Sequence, residues 1–137
     1  MLVRPVLALL CALSLAGCRR EAPEARIQRA FDASLRAVEA GDAAGASEIL
    51  SPKFAGPEGL DRAGARLFLT GELRREKVGV TVLSQKLEVD GPRALQEVDL
   101  LITGRTGGGL LPEETSRRSL VLRWELRGGD WLIREVQ

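Results

Sequence analysis

The chain has 137 residues, 20 Lys and Arg against 19 Asp and Glu, two cysteines, no histidine and no tyrosine. Near-neutral charge argues against a nucleic-acid ligand, which calls for a clustered basic face. The missing residue types exclude histidine-assisted nucleophile chemistry and leave a zinc or copper site little besides carboxylates. Acid–base chemistry, if any, falls to Asp, Glu or Lys, and no cofactor or metal is implied.

Residues 1–17 read as an export leader. Arg4 gives a positive start, Val6 to Leu15 is an apolar run, and Leu15-Ala16-Gly17-Cys18 closes it. A secretory leader has this order of basic start, short apolar segment and small-residue cleavage site. A membrane-spanning helix needs about 20 apolar residues, more than this run supplies before Arg19-Arg20. A buried core helix would need an amphipathic stripe, and there is none. The closing tetrapeptide resembles the lipobox of bacterial lipoproteins. That resemblance implies cleavage before Cys18, lipid on the Cys18 sulfur, and stable tethering to a membrane by more than one acyl chain. Arg19, standing where an inner-membrane retention aspartate would be, points to the periplasmic face of the outer membrane. Cys11 leaves with the leader, so the processed chain has no disulfide and its stability rests on its core. It also carries no net charge, because Arg4 is the only charged residue before Cys18.

Residues 18–22 are a polar tether, and residues 23–137 are long enough for one domain. Pro23 and Glu24 suit a helix start. Ile27, Ala30, Phe31, Ser34, Leu35 and Val38 then recur at helical spacing, giving an amphipathic helix of about 17 residues ended by Gly41. Asp42 caps a second helix expected over Ala43 to Leu50, with Ser51-Pro52 as its stop and Phe54 anchoring the loop beyond. Asp61 caps a third helix over Arg62 to Arg75, with Leu60, Ala63, Leu67 and Phe68 as its inner face and Leu73 near its end.

From Val78 the period becomes two. Val78, Val80 and Val82 share one face, while Leu83, Leu87 and Val89 have the other parity, which predicts a bulge between Leu83 and Lys86. Asp90-Gly91-Pro92 is a turn. The next strand sets Val98, Leu100 and Ile102 against Glu97, Asp99 and Thr103. After a glycine-rich stretch, Leu120, Leu122, Trp124 and Leu126 alternate with Val121, Arg123, Glu125 and Arg127. Gly128-Gly129 makes a hairpin into a last strand, Asp130 to Val136. Helices first and a meander after predict an α+β fold, with helices packed on one face of a curved antiparallel sheet.

This order resembles the nuclear transport factor 2-like superfamily, the cystatin-like cone. The features that carry the resemblance are Ala40-Gly41-Asp42 at the first helix junction, Phe54-Ala55-Gly56 followed by Gly59-Leu60-Asp61-Arg62, and Trp124 ahead of Gly128-Gly129-Asp130-Trp131 in a closing hairpin. It covers Pro23 to Val136. It implies a concave, mostly apolar cavity, the usual ligand site of such a fold, with Phe31, Phe54, Phe68, Trp124 and Trp131 as candidates for its lining. The superfamily includes isomerases, dehydratases and non-catalytic binding domains, and fold alone does not choose among them. The isomerase branch uses a tyrosine and the dehydratase branch a histidine, and this chain has neither.

Three functions stay open at this level. The first is a non-catalytic domain binding a small apolar ligand or an envelope protein. The second is an isomerase or lyase using a cavity carboxylate, for which Asp99 is the best candidate. The third is a homodimer through the sheet's outer face. Alternation places Glu97 and Asp99 on the solvent face instead. Capping accounts for Asp61, and a local or surface pair for Arg62. Arg123 and Glu125 read as a solvated ladder and Trp124 and Trp131 as core. Gly107-Gly108-Gly109 lacks the lysine and helix of a phosphate loop.

Overall fold

The structure is a computed structural model that describes residues 21–105 and 114–137. The leader, Cys18 and Gly107-Gly108-Gly109 lie outside the described residues.

Helix α1 spans Pro23–Glu39, with proline in its first turn and Glu24 at the positive end of its dipole. It buries Ile27, Phe31 and Ser34. Gly41, at φ +74°, ends it by turning the chain in the left-handed region, where a side chain would be strained. Asp42 then caps α2, Ala43–Ser47, by accepting from the Gly45 N–H at 2.9 Å.

The second helix is shorter than the sequence suggests. It stops at Ser47, and Leu50–Ala55 forms a strand, β1, where a loop was expected. Proline at position 52 is compatible with a strand only at a sheet edge, and β1 is an edge. It pairs parallel with the last strand, Leu50 opposite Ile133, and the Ile133 N–H donates to the Ile49 carbonyl at 2.6 Å. The sheet is therefore mixed, not purely antiparallel.

Helix α3, Arg62–Arg75, has the expected bounds and is capped by Asp61, which accepts from the Gly64 N–H at 2.7 Å. Its inner face differs from expectation. Ala65 is its buried residue, Ala63 is exposed, and Leu67 and Phe68 are 73% and 59% exposed. Positions four and eight beyond Ala65, the half-buried Leu69 and Leu73, share its side of the helix, so Leu67 and Phe68 fall off that stripe.

Strands β2 (Lys77–Asp90), β3 (Arg93–Arg105), β4 (Glu114–Arg127) and β5 (Asp130–Val136) follow as an antiparallel meander, in sheet order β1-β5-β4-β3-β2. The β2–β3 register slips between Val82 and Ser84, which leaves Leu83 as the extra residue of the expected bulge, 48% exposed. The slip puts Val82 and Gln85, of opposite parity, on one face. Gly128 and Gly129, at φ +58° and +86°, supply the paired left-handed residues of a two-residue hairpin. The core lies between α1 and the inner face of the sheet, where Ile27 and Phe31 meet Leu50, Phe54, Val98, Leu100, Leu122, Trp124, Trp131 and Ile133.

Candidate functional site

Among the described residues, the inner wall of the sheet holds one fully buried polar side chain, Gln96. On β3, Ala94, Gln96, Val98 and Leu100 are all buried and point inward. Gln96 has no exposed surface; its Oε1 accepts from the Trp124 indole N–H at 3.0 Å, and its Nε2 donates to Gln85 Oε1 at 3.3 Å. Burying this amide without both partners would cost about 1–3 kcal/mol. The relay runs from the centre of the core to exposed Gln85 on the edge strand. The sequence carries a signal for it: Gln96 occupies an inward parity flanked by Ala94 and Val98.

Of the five predicted lining residues, Phe31, Phe54, Trp124 and Trp131 come together in the core cluster, each at most 7% exposed. Phe68 is not packed there and stands on the exposed side of α3. Trp131 also borders a groove of about 780 Å³ between α1, α2 and β5. Its lining combines Ala30, Ala33, Ala37, Ile49 and Leu132 with Arg26, Arg29 and Arg36 of α1 and with Asp42, Glu48 and Asp130. The arginines recur along α1 at spacings that keep them beside one stripe. Arg26 donates to the Gly129 carbonyl, closing the start of α1 on the β4–β5 hairpin, and Arg29 pairs with Glu21 at 2.5 Å. Arg36 makes no ion pair among the described residues. The Trp131 indole N–H is buried with no acceptor among the described residues.

Asp99 lies on the outer face of the sheet, as alternation predicts, in the row Ser84–Asp99–Ser119. Its carboxylate accepts from Ser119 at 2.5 Å, Arg117 at 2.8 Å and Ser84 at 3.2 Å. The Ser119 hydrogen bond, then that from Arg117, hold its pKa below the ordinary aspartate value. A general base poised near neutrality needs the opposite shift, so Asp99 lacks the surroundings of the base it was weighed as.

Arg123 and Glu125 share the outer face of β4 but do not pair with each other: Arg123 pairs with β5, and Glu125 with both its own strand and β5. Arg123 meets Glu135 at 3.5 Å, while Glu125 meets Arg127 at 3.5 Å and Arg134 at 3.9 Å. The dominant contact of Glu125 is one sequence reasoning missed. Ser51, fully buried on β1, donates to Glu125 Oε1 at 2.5 Å and accepts from the Lys53 N–H at 3.1 Å. That hydrogen bond is the first cause of Glu125's lowered pKa. No signal pointed to it, because the contact depends on the parallel β1–β5 pairing. Among the described residues, no cluster of three or more acidic side chains could hold a metal ion.

Comparison with solved structures defines the fold class. A protein of cystatin-like fold from Caulobacter vibrioides, itself uncharacterised, superposes with TM-score 0.68 at 18% identity, over 82% of this chain and 85% of its own. A protein from Novosphingobium aromaticivorans provisionally described as a scytalone dehydratase gives 0.72 at 11% identity, over 82% and 80%. One from Xanthomonas campestris, provisionally described as a calcium/calmodulin-dependent protein kinase II association domain, gives 0.70 at 17%, over 87% and 86%. The chain has the cystatin-like, nuclear transport factor 2-like fold. At these identities the likeness is one of fold alone. No family model and no curated protein matches the sequence.

Proposed function

We propose that this chain is an exported lipoprotein, held to the periplasmic face of the outer membrane by lipid on Cys18, whose domain binds a small amphiphilic molecule without transforming it. The leader pattern ending in Leu15-Ala16-Gly17-Cys18 supports the address. The groove between α1, α2 and β5 is the observation that carries the binding reading. Its volume falls in the range of ligand sites, about 300–1,000 Å³. The alanines of its lining offer apolar surface, and the Arg36 guanidinium offers a charge for an acidic head group. The two carboxylates with shifted pKa values, Asp99 and Glu125, are both held in the ionised form, which suits structure and not proton transfer.

The test is native mass spectrometry of protein extracted from its own membrane in mild detergent. A bound mass additional to the anchor is expected, and Ala33→Trp, which fills the groove from an exposed position, removes it. A protein that carries no such mass, or an Ala33→Trp variant that keeps it, contradicts the groove as the site.

A further inference from the structure

Helix α3 presents a surface that belongs neither to the core nor to the groove. Leu67 and Phe68 are the most exposed large hydrophobic residues among those described. At 100° per residue they share an arc with Gly71, Arg74 and Arg75, opposite the half-buried Leu69 and Leu73. Beyond Gly71 there is open space. The helix carries Arg62, Arg66, Arg74 and Arg75 against a single acid, Glu72, which Arg75 engages. Among the described residues, the other three arginines make no ion pair. Arg62 and Arg66 line a separate groove with Glu48 and Pro52. Leu67 and Phe68 stand beside Arg74 and Arg75, and exposed apolar side chains flanked by guanidinium groups suit a lipid headgroup layer.

Connectivity places this surface in the helical layer that the tether enters. Helix α2 packs against both α1 and α3. Helix α1 begins at Pro23, five residues after Cys18, and five extended residues reach at most about 18 Å. A tether that short keeps the helical layer at high local concentration near a bilayer, so a contact too weak to hold the protein alone becomes occupied.

We infer that the outer face of α3 is a second membrane contact, with Leu67 and Phe68 entering the headgroup layer and Arg74 and Arg75 facing anionic phospholipid. The proximity argument rests on the anchor reading above; the chemistry of the face does not.

The test uses the chain from position 18 onward carrying Cys18→Ser, which has no lipid, in flotation with vesicles. It is expected to float with phosphatidylethanolamine–phosphatidylglycerol vesicles and not with phosphatidylcholine alone. The pair Leu67→Ser with Phe68→Ser, and the pair Arg74→Gln with Arg75→Gln, are each expected to lower the bound fraction by about tenfold. Leu67→Trp, which keeps the apolar face, is expected to shift its fluorescence to the blue on the anionic vesicles. Equal behaviour on the two vesicle types, variants that bind like the parent, or an unshifted Leu67→Trp signal would overturn the inference. So would a parent that sediments as a dimer and loses it in the Leu67/Phe68 variant, which assigns the face to a second copy. A failed anchor reading shows instead as missing lipid on Cys18 in the native protein, leaving this vesicle result unchanged.

Discussion

The Trp124 indole N–H donates to Gln96 Oε1 at 3.0 Å across two central strands, both side chains withdrawn from solvent. A polar pair in that position costs little while it is complete and much when it is broken. Gln96→Leu is expected to destabilise the domain by about 1–3 kcal/mol by leaving the indole donor unpaired. Trp124→Phe is expected to cost at least as much, through lost volume and an unpaired amide oxygen. Urea unfolding of the two single variants and the double variant checks this. A double variant close to the worse single variant marks the pair as coupled.

Phe31 and Phe68 offer a direct contrast. Phe31 is 4% exposed in the core cluster and Phe68 is 59% exposed on α3. Phe31→Ala is expected to cost about 3–5 kcal/mol, and Phe68→Ala about 0.5 kcal/mol or less. Thermal melts of the two variants decide whether α3 faces the sheet as described.

Ser51 couples the parallel edge strand to β4 through Glu125. Ser51→Ala removes the donor to Oε1 and is expected to cost about 1–3 kcal/mol. It is also expected to let the Glu125 pKa rise toward the ordinary glutamate value of 4.5. Carbon-detected NMR titration of the Glu125 carboxyl in the two proteins reads that shift. An unchanged value would mean that Arg127 and Arg134 hold the carboxylate down.

Acid should weaken the fold through Asp99. Its folded pKa lies below the unfolded value near 3.8, first because Ser119 donates to the carboxylate and next because Arg117 does. Such a group contributes stability that is complete above the unfolded value and is lost as pH falls through the folded one. Asp99→Asn is therefore expected to flatten the acid limb of a stability–pH curve below about pH 4. Ser119→Ala, by letting the folded value rise toward the unfolded one, is expected to lessen the stability lost along that limb. Equilibrium unfolding at stepped pH checks both.

The elements with strong local signals were legible in the sequence. Helices α1 and α3 have the expected bounds because their caps, Pro23, Gly41 and Asp61, act on their own neighbours. The bulge at Leu83 was visible as a change of parity. What escaped depends on distant pairing. Ser51-Pro52 reads as a stop signal, and only the parallel pairing with β5 makes it a strand. The inner face of α3 differs from expectation because its apolar residues do not form one stripe: Leu67 and Phe68 point away from Leu69 and Leu73. Trp124 and Trp131 are core for the reason their alternation with aliphatic residues implied, and Phe31 joins them from the helical stripe of α1, whereas Phe54 reaches the same core from a strand and not from a loop. The groove beside Trp131 was not legible, since its walls come from three separated segments.

The central claim concerns one sulfur atom, that of Cys18, and the intact mass of protein extracted from the membrane fraction tests it most directly. The account expects a chain that starts at Cys18 and carries a diacylglycerol thioether with a further acyl group. A mass that retains residues 1–17, or a processed chain whose first residue bears no lipid, would contradict it.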